Sequence, residues 1–198
     1  NPFLYITKQI RKFYLNSGIY NKKISKVLDG GFEYVPHLKI FDCIVKIRDR
    51  RNRIEDYNIE SIWENKNFSE KDFKKLHSFF WLFTIDLKSS KKITRSVISN
   101  WTNLNQNYSF KSWELDTLSK RIISWIANSN SFYHEGDENF KLNFVNILKK
   151  QLNHLTNEIE NTEFVNDKMI GCSAIIMGGL CFKNQVHYLN IGFQLLKK

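Results

Sequence analysis

Three short segments hold the residues best suited to chemistry. In Leu76-His77-Ser78-Phe79-Phe80-Trp81-Leu82, His77 and Trp81 stand four residues apart, which on a helix is one face. A tryptophan beside an imidazole can stack on a sugar ring and hold one of its hydroxyls. The same pair suits an aromatic core face with one hydrogen-bonded histidine. The second segment runs from Trp113 to Trp125 and sets Arg121 among apolar neighbours, with Trp113 at the start of a helix. A guanidinium there must meet a carboxylate, a backbone carbonyl or a ligand anion. Asp116, five residues back, is not an ideal same-face partner, so Arg121 either bridges helices or faces an anion. In the third, Val165-Asn166-Asp167-Lys168-Met169, Asn166 or Asp167 can cap the apolar helix that follows. Alternatively, Asn166 and Lys168 open a polar cluster where that helix meets a cavity. His154 falls mid-helix and reads as solvated or hydrogen-bonded.

Other chemistry is missing. There is no Gly-rich phosphate loop, no HExxH, no GxSxG and no paired-cysteine zinc spacing. Cys43, Cys172 and Cys181 have no metal-ligand pattern and read as small thiols. No metal and no cofactor are expected. The net charge of +10 fits a polyanionic partner, or follows from a Lys-, Asn- and Ile-rich composition. The basic stretch Lys46–Arg53 has no interleaved aromatics, which argues against nucleic acid. No run of 18 apolar residues suggests a membrane span, and no signal peptide is visible. The first residue is Asn1 and the last, Lys198, falls in an apolar-periodic helix, so both ends read as cuts.

The elements that must position these residues are helices. With two prolines and eight glycines in 198 residues, long helices with short links are favoured over a many-stranded sandwich. The periodicity predicts a first helix over 2–17, with Phe3, Ile6, Ile10 and Phe13 as its stripe. Residues 30–62 are poorly readable, with a short β-hairpin possible near 38–54. Ser69 and Asp72 form a capping box for a helix with Phe73, Leu76, Phe80, Phe83 and Leu87. Ser90 and Ser112 can cap the next two. Further helices are expected over 137–162, over 167–182, where the sequence is apolar on nearly all sides, and from Gln185 onward. The expected fold is all-α: one domain over 1–198, made of antiparallel helical hairpins in an array or an incomplete α/α toroid.

Taken in order, these residues resemble a known family. His77-Ser78-Phe79-Phe80-Trp81-Leu82, then Trp101, then Trp113 through Arg121 to Trp125, are similar to the helical domain of bacterial heparinase II/III-like polysaccharide lyases. Gln151-Leu152-Asn153-His154-Leu155, Ile170-Gly171-Cys172-Ser173-Ala174 and Gly178-Gly179-Leu180 are similar to its downstream helices. The resemblance covers 60–198 well and 1–60 loosely. It implies an incomplete α/α toroid followed by a β-sandwich, here absent, and β-elimination on uronate-containing acidic polysaccharide such as a glycosaminoglycan or alginate. The uronate carboxylate must be neutralised, the C5 proton removed by a Tyr or His, and the leaving O4 protonated. Asn166 matches the family's carboxylate-neutralising asparagine, but Asp167-Lys168 stands where a histidine usually follows; Lys168 supplies positive charge there, whereas Asp167 repels a uronate. His77, Trp81, Trp113, Arg121 and Lys168 are the expected substrate-binding residues. The catalytic base is expected beyond Lys198, so the chain alone is expected to be inactive. The implied compartment is bacterial, periplasmic or cytoplasmic. The competing expectation is a non-enzymatic helical scaffold that binds a protein or an acidic polymer.

Overall fold

A computed structural model of the chain describes residues 2–26, 31–32, 63, 68–83, 91–183 and 185–197. Among them are eight α-helices: α1 (Pro2–Leu15), α2 (Gly18–Ile24), α3 (Glu70–His77), α4 (Lys91–Leu104), α5 (Leu115–Phe132), α6 (Glu138–Glu158), α7 (Val165–Cys181) and α8 (Val186–Leu196). Short 3-10 turns cover Phe80–Phe83 and Ile159–Asn161. The all-α expectation holds. The possible hairpin near 38–54 lies outside the described residues, as do Cys43, Leu87 and Ser90.

Local chemistry sets several boundaries. Ser69 caps α3 as expected, its hydroxyl accepting from Asp72 N at 3.2 Å, but the Asp72 carboxylate accepts from that hydroxyl at 2.6 Å, so the serine half of the box is the part observed. Asp137 caps α6 by accepting from Phe140 N at 2.7 Å. Ser17 caps α2 through Tyr20 N, which ends the expected 2–17 helix at Leu15.

Other expectations are corrected. Ser112 does not cap α5: Glu114 holds the N-cap position without a side-chain bond. α7 starts at Val165 with Phe164 at its N-cap, so Asn166 and Asp167 lie inside the first turn and cap nothing. The helix expected to run on from Ser69 stops at His77, and Phe79 follows with φ 55°. A buried phenylalanine in the left-handed region is unusual. It is held by its backbone, Phe79 N donating to Leu76 O at 3.3 Å and Phe79 O accepting from Ser124 Oγ at 2.5 Å. His77 and Trp81 therefore do not share a helix face.

The stripe on α1 also departs from expectation: Ile6, Ile10 and Phe13 face outward, and among the described side chains of the helix Leu15 is the buried one. Arg11 joins this helix to the body, its guanidinium donating to Glu158 Oε2 on α6.

Contacts at both ends fix the helix directions. Near the starts of α5 and α7, the charges of Asp116 and Glu114 act on Asp167. Near their ends, Phe32 packs on Tyr133 at 5.1 Å and on Phe182 at 5.3 Å between ring centroids. These two helices therefore run parallel. α6 runs against both: Phe144 meets Phe132 at 5.6 Å near its start, and His154 meets Trp113 at 5.4 Å near its end. α8 returns antiparallel to α7, with Gly179 against Leu189 and Gly192 against Ile176. A methyl on Gly179 would sit 2.8 Å from the Leu189 backbone nitrogen, so only glycine permits this approach.

The core lies around α5, with Trp101, Trp113, Trp125, Phe79, Phe132 and Phe144 all buried. The ring of Phe79 meets Trp125 at 5.2 Å, and Trp101 meets Trp125 at 5.4 Å, both edge to face.

Candidate functional site

Two clusters contain the candidate residues. The first is internal and centres on Arg121 of α5, which has no solvent exposure. Its Nε donates to Gln151 Oε1 on α6 at 3.0 Å. Its Nη1 donates to the carbonyls of His77 and Ser112, each at 2.8 Å. The guanidinium also lies 4.2 Å above the Trp101 ring. No carboxylate pairs with it among the described residues. Of the partners foreseen from sequence, the backbone carbonyl is the one found. Arg121 thereby joins the end of α3, the turn before α5, and α6.

His77 sits in the same cluster. Its Nδ1 accepts from Trp101 Nε1 at 3.0 Å, and its ring stacks on Phe73 at 3.9 Å. Burial, reinforced by the Arg121 charge, pushes its pKa down to about 3. His154 is a second buried imidazole, joined to the Tyr20 hydroxyl at 2.8 Å through Nδ1. Burial is the largest cause that lowers it to about 3, with Arg121 and Arg11 adding and a backbone bond to Trp113 opposing. Both rings are neutral at physiological pH and are weak bases.

Trp113 is buried against His154 and Tyr108. Trp81 is half-buried: its Nε1 donates to Leu76 O at 3.0 Å and its ring stacks on Phe79. His77, Trp113 and Arg121 are thus brought together, but in the buried interior.

The second cluster is the rim where the heads of α5 and α7 lie side by side. Asn166 and Lys168 are exposed on the first turn of α7. Asp167 between them is half-buried, and Thr162 Oγ1 donates to its Oδ2 at 3.5 Å. Burial, then the charges of Asp116 and Glu114, push its carboxyl above the ordinary range, against Lys120. Lys120 is bound to Asp116 at 2.8 Å, and Lys74 of α3 to Glu114 at 2.8 Å. The first amides of α7 have no side-chain cap. Such a helix start favours an anion through unpaired N–H groups and the helix dipole.

The structure therefore divides the six residues. Asn166 and Lys168 face solvent at one end of α5 and α7, Trp81 is half-buried, and His77, Trp113 and Arg121 lie inside. Sequence reading missed Gln151 and Ser112 as partners of the buried Arg121 charge and Tyr20 as the partner of the buried, neutral His154. Gln151 offered a faint signal, as a polar residue on the inward stripe with Phe144, Leu148 and Leu155. Tyr20 and the Ser112 carbonyl offered none.

Compared with known protein families, curated proteins and solved structures, the chain shows no match.

Proposed function

We propose that this chain is the substrate-groove helical domain of a heparinase II/III-like polysaccharide lyase, with its helices forming part of an incomplete α/α toroid. The proposed substrate is a uronate-containing acidic polysaccharide, degraded by β-elimination in the parent enzyme. The observation that carries the reading is the shared head of α5 and α7, where Asn166 and Lys168 stand exposed beside uncapped helix amides. Asn166 would donate to the uronate carboxylate and Lys168 would offset its charge. Trp81, half-exposed, remains a candidate stacking residue. His77, Trp113 and Arg121 serve the groove from below, by fixing the turn before α5.

In this reading the chain holds the polymer and does not cleave it. His77 and His154 are buried and too weakly basic to take the C5 proton. His134 and His187 lie past the ends of α5 and α7, at the far end from Asn166. Exposed apolar side chains on α1 and α7 favour the scaffold alternative, since such surfaces commonly bind other protein.

Calorimetric titration with alginate and heparan sulfate oligosaccharides tests the proposal. A basic chain attracts any polyanion weakly, so the discriminating variant is Asn166→Ala with Lys168→Ala. Both positions are exposed, and folding should be unaffected. Binding weakened about tenfold, or about 1.4 kcal/mol, is expected. Binding unchanged in the double variant, or absent from the native chain at low salt, overturns the reading. Unsaturated uronate formed by the chain alone would overturn its non-catalytic part.

A further inference from the structure

We propose that the cleft between α4 and the first turns of α6 binds a single neutral, hydroxyl-rich ring, such as one hexopyranose unit. The cleft holds about 200 Å³. Its polar lining is Ser99, Thr102, Asn103, Asp137, Asn139 and Asn143. Ile98 and Phe144 close the floor, both buried, together with Phe140, which is 8% exposed.

The chemistry of this lining selects the ligand class. Sugar hydroxyls both donate and accept, and so do primary amides and serine or threonine hydroxyls. The amides of Asn103, Asn139 and Asn143 make no hydrogen bond to another described residue. By contrast, the amide of Asn105, just past the end of α4, donates to the Trp101 carbonyl at 3.0 Å. Asp137 spends Oδ1 on its helix cap and keeps Oδ2 as an acceptor. The apolar floor suits the C–H face of a pyranose ring. Among the described residues no lysine or arginine lines the cleft, and Asp137 is its only charged group. A uronate or sulfate would face that carboxylate with no cation to offset it. The volume lies below the range of drug-sized sites, roughly 300–1,000 Å³, which limits the ligand to about one ring.

The position is also distinct. The first turns of α6 follow the end of α5, whereas Asn166 and Lys168 stand by its start. The cleft is therefore separate from the rim proposed for the acidic polymer. Its test does not depend on that reading.

The experiment is a nitrogen-15 NMR titration of the chain with methyl glucoside, and separately with sodium glucuronate. The side-chain amide signals of Asn103, Asn139 and Asn143 should move saturably with methyl glucoside. A dissociation constant of roughly 1–30 mM is expected for so small a contact. Glucuronate should bind at least about fivefold more weakly, because the cleft offers no cation. Asn139→Ala with Asn143→Ala should abolish the saturable shift without lowering the melting temperature, since both residues are exposed. Asn103→Ala, on the opposite wall, should weaken it independently. Shifts that are absent or linear, equal affinity for glucuronate, or saturation that survives the double variant would overturn the proposal.

Discussion

Helices α5 and α7 run parallel, yet they achieve burial in opposite ways. α5 buries thirteen of its eighteen residues, including Arg121, Asn128 and four serines. α7 is more apolar by composition but buries only seven of seventeen, chiefly Gly171, Cys172, Ala174, Gly178, Gly179 and Cys181. Its larger side chains Val165, Met169 and Leu180 stay outside. α5 is surrounded, and several of its polar groups are matched by carbonyls, Ser124 to Phe79, Ser119 to Leu115 and Asn128 to Ser124, although Arg121 Nη2 and Trp125 Nε1 are buried without a partner among the described residues. α7 is pressed close to α6 and α8 along a stripe of small residues. Apolar composition alone thus does not locate the interior; matched polar groups and small contact residues decide it.

The strongest way to break the contrast is Arg121→Met. It removes three hydrogen bonds and leaves the His77 and Ser112 carbonyls and Gln151 Oε1 without their donor. A loss of about 3–5 kcal/mol is expected in urea denaturation. Arg121→Lys should recover little, because one ammonium cannot reproduce the fork. A loss below about 1 kcal/mol would mean that the polar interior of α5 is incidental.

Acid should loosen the same region next. His77 and His154 have folded pKa values of about 3, below the ordinary 6.5. Between those values the unfolded chain binds more protons, so their neutral burial costs stability increasingly as pH falls from 6.5 toward 3. The slope should approach 1.4 kcal/mol per pH unit for each histidine, at roughly pH 4 to 5. Hydrogen exchange at pH 4.5 should accelerate around α5 before it does in α7 and α8. His77→Phe should flatten the profile; an unchanged slope in that variant would remove His77 as a cause.

On the α7 side, Gly179→Ala forces a methyl against the Leu189 backbone and should cost about 1–3 kcal/mol. Gly18→Ala, with open space around it, should stay within about 1 kcal/mol of neutral. Equal effects would deny that α7 and α8 depend on close approach. The smallest effect is expected from Met169→Gln, on the open face of α7, which should change the melting curve by no more than about 0.5 kcal/mol. A large loss there would show that this face is covered in solution.

Much of the helical fold was legible in the sequence because its signals are local. The Ser69–Asp72 pair and the stripe Phe140, Phe144, Leu148 and Leu155 need only three- and four-residue spacing, whereas the cap at Asp137 was not foreseen. The break at His77 was not legible: the apolar spacing continues through Phe80 and Phe83, and the turn depends on a left-handed Phe79 held by Ser124 from another helix. The outward stripe of α1 was hidden for a related reason, since periodicity shows which residues share a face but not what covers it. At the candidate site, Arg121 was recognised as a residue needing a partner. The partner itself, two backbone carbonyls and Gln151, is a tertiary fact with no local signature.

The bonds Arg11–Glu158 and Tyr20–His154, with Asn153 donating to the Ile24 carbonyl at 2.9 Å, attach the first two helices to the last turns of α6. Tyr20 and His154 are 134 residues apart. On a ribosome adding roughly 5–20 residues per second, Tyr20 precedes its partner by roughly 7–27 seconds. During that interval α1 and α2 lack the α6 surface that receives Arg11 and Tyr20. Residues 2–26 should therefore reach their final place only after the last turns of α6 have been synthesised.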